Sequence, residues 1–523
     1  MTGESFVSTT IPYVNAKPHV GHALEFVEAD AYTRQMAMMA KDVYFLTGSD
    51  ENSLKNVLAA EKEGLTTREL VDRNVVHFER LADLLQVDYR KFIRTSSDPD
   101  HRAGATEIWE RMAARDDIYP KDYEGLYCVG CEQFYSPAEL VDGKCPEHLV
   151  EPELVKERNY FFRLSNYADQ LLAAYESGAV RITPESRRNE VVSFVRSGLA
   201  DISISRSMER ARGWGIPVPG DSSQVMYVWI DALTNYINAL GWARNAEDFT
   251  RYWVEAEKRV HVLGKGVVRF HAVYWPAMLM SAGLPLPTDV VVHGYITVNS
   301  QKLSKSLGNA VDPAEIVDRY NADALRYYLL AEFSPFSDGD FSEERLLARY
   351  NTDLANGLGN LVSRCTSMIN RYRDGVVPAD QGAGPAEADL AGQVAASTGA
   401  AWDAMARYEH RDALARIWDL VRATNAYVDI KAPWHLAKAA DKGDEDAPRE
   451  LDITLRHLAA AVLRLGWLVL PFVPRAGDAI LAAMGEDTKR VAPDLVTTDW
   501  LAGVAGRGVT KPESLFPRLD VPA

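Results

Sequence analysis

Between residues 5 and 46 the chain spells strand, loop, helix, strand, and this stretch commits it to a parallel sheet. Residues 5–10 are apolar and β-prone, and residues 12–18 are a Pro/Asn loop. Val20, Leu24, Val27 and Ala31 then recur at the spacing of an amphipathic helix. Residues 43–46 follow as an unbroken apolar run, as expected for a strand buried on both faces. No GxGxxG follows the first strand, so a dinucleotide-binding version of the unit has no support.

The texture changes to turns, aromatics and clustered cysteines over residues 118–225. Strand-like runs resume at 225–230, 261–263 and 290–293, so the middle segment is expected to be an insertion between two halves of one sheet. Beyond about residue 345 the pattern is helical to the end, interrupted by a polar loop near 382–387 and an acidic one near 441–450. The expected fold is α/β: a Rossmann-like parallel-sheet domain split by the insertion, then an α-helical bundle. The expected boundaries are 1–117, 118–225, 226–300, 301–345 and 346–523, in keeping with a chain of 523 residues.

With 57 Lys plus Arg against 74 Asp plus Glu, the net charge is -17, which excludes a general attraction to polyphosphate surfaces; nucleic acid would need a local patch. Four cysteines are too few for a disulfide scaffold, and three of them crowd into eighteen residues, which points to metal and a reducing compartment. The N-terminus lacks the basic start and apolar stretch of a signal peptide. The longest apolar run, 465–474, is about half a bilayer span. A soluble cytoplasmic protein without membrane partners is expected.

Three motifs carry chemistry. Cys128-x2-Cys131-x13-Cys145-x2-His148 has the spacing of a tetrahedral structural Zn²⁺ site of type Cys₃His. His19-Val20-Gly21-His22 stands where the first loop enters the first helix. It places two imidazoles beside unpaired helix amides, and Gly21 allows a nucleotide to approach the backbone. Lys302-Leu303-Ser304-Lys305-Ser306, just after a predicted strand, offers two ammonium groups suited to a triphosphate under attack at its α-phosphorus. The last two motifs lie about 280 residues apart, and both are expected at the C-terminal edge of the parallel sheet.

HVGH and KLSKS together resemble the HIGH and KMSKS hallmarks of the class I aminoacyl-tRNA synthetases, and within that class the chain is most similar to the methionyl-tRNA synthetase family. The resemblance runs from about Phe6 through the helical region. It implies catalytic roles for His19, His22, Lys302 and Lys305, and an ATP site of His19, Gly21, His22, Gly264, Lys302, Ser304 and Lys305. It implies a methionine site of Ile11, Tyr13, Asp50, Trp229, Ala232, Leu233, Tyr236, Val267 and His271, with Asp50 holding the α-ammonium. It also implies that Asn360, Arg364, Pro433 and Trp434 read a CAU anticodon. Five basic residues (Arg345, Arg349, Arg364, Arg371, Arg373) against Asp353 would form the local patch that tRNA requires.

The implied reaction is ATP-dependent activation of L-methionine, with Mg²⁺ accompanying ATP, followed by transfer to tRNA; the zinc is structural. A monomer is expected, since the chain ends without the additional domain some family members use to dimerise. Two departures stand out: Asp50-Glu51-Asn52-Ser53 where the family usually has Asp-Glu-His-Gly, and Gly264-Lys265-Gly266 where it usually has Gly-Lys-Asp. They leave two alternatives: a synthetase-like enzyme that passes an activated amino acid to a small molecule, and a non-catalytic RNA-binding protein that kept the fold.

Overall fold

The computed structural model describes residues 3–39, 41–146, 149–298, 301–302, 311–486 and 494–520, and it divides into two compact units. The first unit is built on a six-stranded, all-parallel sheet. Its spatial order is Lys91–Arg94, Asp42–Ser49, Glu4–Ser8, Lys258–Gly264, Asp289–His293 and Arg181–Thr183. The chain begins mid-sheet, runs outward, and returns to the other side of its first strand about 250 residues later, which places a topological switch point between Glu4–Ser8 and Lys258–Gly264. The loops that leave the carboxyl ends of these strands carry His19, Asp50, Lys265 and Tyr295.

The expected α/β class with a helical C-terminal region holds. Three local expectations do not. Residues 118–225 are not a self-contained insertion, because Arg181–Thr183 returns to form an edge strand of the parallel sheet. The rest of that segment builds a four-stranded antiparallel sheet around the long pair Ile118–Cys128 and Glu153–Phe162. The run 225–230 is not one strand: Asp221–Met226 is extended, but Val228–Leu233 is helical. Finally, the first helix, Val20–Met38, is not striped. Buried positions fall on every side, Glu28 and Asp30 among them.

The core of the first unit gathers Phe6, Tyr44, Tyr236, Trp253 and Trp275 around the buried His261. Trp275 Nε1 donates to His261 Nε2 at 3.2 Å, and His261 Nδ1 lies 2.8 Å from Ser8 Oγ, so both ring nitrogens are satisfied.

In the second unit Ile296–Val298 pairs with Gln301–Lys302 and with Gly339–Asp340 in a small separate sheet. The strand before KLSKS therefore does not belong to the parallel sheet. Residues 303–310 lie outside the described residues. Nine α-helices among the described residues follow between Pro313 and Ala483, the longest being Ala447–Val469. Arg326, fully buried on Ala322–Glu332, pairs with Asp30 at 2.7 Å and donates to the carbonyls of Leu85, Phe472 and Pro471. One guanidinium thus ties four separated segments together. Arg326→Ala is expected to cost about 3–5 kcal/mol, because it leaves the buried Asp30 with Arg34 as its remaining guanidinium and three carbonyls without their donor. Differential scanning calorimetry should show a clear fall in the midpoint of this unit; an unchanged midpoint would contradict the assignment.

Candidate functional site

Helix Val20–Met38 begins immediately after His19, and its Gly21 amide is not open as the sequence implied. The Gly21 N–H donates to His19 Nδ1 at 3.1 Å, and the His19 N–H donates to His22 Nδ1 at 3.1 Å. The two rings sit 4.1 Å apart, and His22 rests edge-on against Phe78. With both Nδ1 atoms accepting, the proton of each neutral ring is on Nε2. The imidazoles cap the helix themselves, which corrects the expectation of unpaired amides.

Across the switch point, Gly264 ends its strand, and a Cβ there would lie 3.2 Å from the Tyr295 ring. Lys265 Nζ sits 4.9 Å from the centre of that ring, and Gly266 is exposed. Next to them, Glu25 accepts from the Thr10 amide at 2.7 Å and lies 2.9 Å from His293 Nε2. Burial pulls His293 down, but the Glu25 bond and the Glu28 charge push it up to about 9. Burial pushes the Glu28 carboxyl up to about 7.

Asp50 follows strand Asp42–Ser49, is 2% exposed, and bridges in parallel to Tyr13. Its amide donates to Pro12 O at 2.9 Å and its carbonyl accepts from Asn56 at 3.0 Å. Asp50 does not cap the next helix; Ser53 does, accepting from Lys55 N–H at 3.0 Å. Asp50 Oδ1 is buried with no hydrogen-bond partner, as are Tyr13 Oη and Trp229 Nε1. Burial, then the Asp231 and Glu132 charges, raise the Asp50 carboxyl well above the usual range.

Trp229 stacks on Phe270 at 3.8 Å and 11°, with Tyr13 and His271 edge-on to it. Ala232, Leu233 and Tyr236 are buried, and Ile11 and Val267 pack against the same core as partly buried side chains. Burial holds the His271 imidazole down at about 4, so it is neutral. Its Nδ1–H donates to Val267 O at 2.9 Å, and Nε2 accepts from Tyr236 Oη–H at 2.6 Å. The result is an uncharged aromatic chamber whose one imidazole has a fixed tautomer.

Cys128, Cys131 and Cys145 bring their Sγ atoms within 4.8 Å of one another and could hold a metal ion. His148 lies outside the described residues, as do Ser304 and Lys305, while Lys302 ends the short strand Gln301–Lys302. Three thiols converging from two turns, with burial pushing Cys128 and Cys131 up, fit a divalent soft metal that would take them as thiolates.

In the second unit, Asn360 and Arg364 stand one turn apart on helix Asn360–Arg373. Trp434, 39% exposed, starts helix Pro433–Ala440 behind the buried Pro433. Arg364 lies 5.5 Å from the centre of the Trp434 ring and 3.0 Å from Asp429. The wider basic patch is weaker than the residue count implied. Arg345 and Arg349 pair with Glu332, and Arg373 pairs with Asp452.

Three functional neighbours escaped the sequence reading. Asp231 is gripped by His101 Nε2 at 2.5 Å and by Asn52 at 2.7 Å; Glu51 is paired with Arg94 at 2.7 Å; and Glu132 reaches Ser53 Oγ at 2.6 Å. Only Glu132 carried a signal, its place directly after Cys131.

Residues 5–153 and 148–366 match the family model for class I tRNA synthetases of the methionine type, and residues 377–521 match the anticodon-binding domain of methionyl tRNA ligase. The chain belongs to the methionyl-tRNA synthetases. A methionine–tRNA ligase of Caldanaerobacter subterraneus is 42% identical over 99% of this chain and 79% of its own length; one of Brucella suis is 42% identical over 98% and 97%. The solved Mycobacterium tuberculosis methionyl-tRNA synthetase in complex with methionyl-adenylate is 39% identical, with a TM-score of 0.92 over 99% of this chain and 100% of that one. The free form of that enzyme gives 0.85. As a methionyl-tRNA synthetase, this chain answers one of its two departures locally: Asn52 is bonded to Asp231 and Thr95, and Ser53 is a helix cap.

Glu28 supplies a pH test. Its folded value of about 7 lies above the ordinary 4.5, so the fold prefers the neutral form and loses stability as pH climbs from 4.5 through 7. Glu28→Gln is expected to stabilise by about 1–3 kcal/mol at pH 8 and by almost nothing at pH 4. Thermal midpoints measured at both pH values check the sign.

Proposed function

We propose that this methionine–tRNA ligase anchors the α-ammonium of L-methionine on Asp50 and seats the thioether in the chamber of Ile11, Tyr13, Trp229, Ala232, Leu233, Tyr236, Val267 and His271. The supporting observation is the bare, buried Asp50 oxygen beside uncharged aromatic walls. A cation completes the one and a polarizable sulfur suits the other. The methionine carboxylate attacks the α-phosphorus of ATP, which enters with Mg²⁺; the bond to pyrophosphate breaks, and the 3′-terminal ribose hydroxyl of tRNA then attacks the methionyl carbonyl and expels AMP. His19 and His22 present Nε2–H donors to phosphate oxygens beside Gly21 and Gly264, while the KLSKS motif assigns Lys302, Ser304 and Lys305 to the leaving pyrophosphate. Catalysis is positioning and charge stabilisation without a nucleophilic side chain.

Residues 1–117, the strand Arg181–Thr183 and residues 226–300 form the catalytic sheet domain, the rest of 118–225 the metal-bearing segment, 301–345 the KLSKS and stem-contact region, and 346–523 the anticodon-binding bundle. Cys128, Cys131, Cys145 and His148 would hold a structural Zn²⁺ that cross-links that segment. Asn360, Arg364, Pro433 and Trp434 read the CAU anticodon, with Trp434 stacking on an unstacked base. No helix among the described residues is long and apolar enough to cross a membrane. A cytoplasmic monomer fits a site built on reduced thiols.

Three measurements test this reading. Asp50→Asn is expected to raise the methionine KM in pyrophosphate exchange by roughly 10- to 100-fold, the worth of a charge-assisted bond, with the ATP KM nearly unchanged. In the wild type the methionine KM should rise as pH falls, because the elevated Asp50 must ionise to receive the ammonium. Trp434→Ala should leave exchange intact and reduce charging of CAU tRNA by at least tenfold. Exchange without any charging of tRNA would instead favour a small-molecule acceptor.

A further inference from the structure

Glu132 directly follows a cysteine of the metal cluster, yet its side chain points away from the thiols. It is fully buried, and its backbone sits in the left-handed region at φ 50°, which a side chain other than Gly, Asn or Asp adopts only when its surroundings hold it there. The surroundings are specific. One carboxylate oxygen accepts from Ser53 Oγ–H at 2.6 Å and from the Lys55 amide at 3.2 Å, and the Tyr227 hydroxyl donates to the Glu132 carbonyl. The other oxygen, Oε2, is buried without a partner. Ser53 caps helix Leu54–Glu63, whose Asn56 holds the Asp50 carbonyl at 3.0 Å. A continuous path therefore leads from Cys131 through Glu132 and Ser53 to the backbone of Asp50. Its middle link is the serine that stands where the family usually has glycine.

We propose that Glu132 is a positioning residue for methionine binding: it fastens the start of helix Leu54–Glu63 to the metal-binding turn and so fixes the backbone that aims Asp50. The inference rests on the reading of Asp50 as the ammonium anchor. It depends on hydrogen bonding rather than on the charge of Glu132, which decides between variants. Glu132→Gln retains an acceptor for Ser53 and Lys55; Glu132→Ala does not.

The test is pyrophosphate exchange with both variants and with Ser53→Gly, each after its metal content has been measured. Glu132→Ala is expected to raise the methionine KM roughly tenfold, with kcat and the ATP KM within about twofold of wild type and the metal content unchanged; Glu132→Gln should stay within about threefold. Ser53→Gly should raise the methionine KM several-fold in the wild-type background and add nothing in Glu132→Ala, as a shared link requires. Hydrogen exchange gives a readout independent of turnover. Removing the metal should accelerate exchange in the peptide spanning residues 50–60 of the wild type, and that peptide should already exchange fast in metal-loaded Glu132→Ala. A methionine KM unchanged in Glu132→Ala, a Glu132→Gln as impaired as Glu132→Ala, or additive effects with Ser53→Gly would each overturn the proposal. If Asp50→Asn also leaves the methionine KM unchanged, the anchor reading itself falls; if Asp50→Asn is impaired and Glu132→Ala is not, only the positioning role falls.

Discussion

Four acids are buried around the carboxyl edge of the second strand, and the fold answers three of them with its own groups. Glu51 has Arg94, Asp231 has His101 and Asn52, and Glu132 has Ser53 and the Lys55 amide. Asp50 and Glu132 each keep one buried side-chain oxygen unmet, but of the four only the Asp50 carboxylate has no side-chain hydrogen-bond partner at all among the described residues. Burying a carboxylate is costly, and this imbalance is what supports reading Asp50 as the anchor of an external cation. The loops around the switch point are arranged about that imbalance: Tyr13 is pinned to Asp50 by a backbone bridge, and Trp229 starts a helix whose next carboxylate, Asp231, is gripped from two sides.

How much of this was legible in the sequence depends on how far each group lies from its partner. The cysteine turns were readable because metal ligation enforces short spacings. The first βαβ unit was readable because strand and helix periods are local. Glu132 and Ser53 are 79 residues apart, and His101 and Asp231 are 130 apart, so no window of sequence displays either pair. Residues 225–230 misled for a related reason. Val225, Val228 and Ile230 look β-prone, but Val228–Leu233 turns helical because long-range contacts at Asp231 and Trp229 outweigh local preference. The first helix misled in the opposite sense, since its expected stripe named only Val20, Leu24, Val27 and Ala31, whereas Glu28 and Asp30 are buried as well. Asp30 is in fact matched by Arg326, almost 300 residues downstream.

The buried cluster around Trp229 and the exposed face around Trp434 illustrate two ways of using an aromatic ring. Inside, Trp229 is sandwiched against Phe270 and His271 is kept neutral by burial, so shape and polarizability dominate. At the other site Trp434 keeps more than a third of its surface open beside Arg364, so a base can add to an existing cation–ring stack. The identity of the chain as a methionyl-tRNA synthetase unites the two, but the physics of each is separate: desolvation in one, stacking at a wet surface in the other.

The self-capped start of the first helix has a kinetic meaning. Because His19 already occupies the Gly21 amide and His22 occupies the amide of His19, no anion can take those donors by simple addition. It must exchange with an imidazole. The helix end thus carries a built-in placeholder: its own side chains hold the donors that an external acceptor would otherwise take.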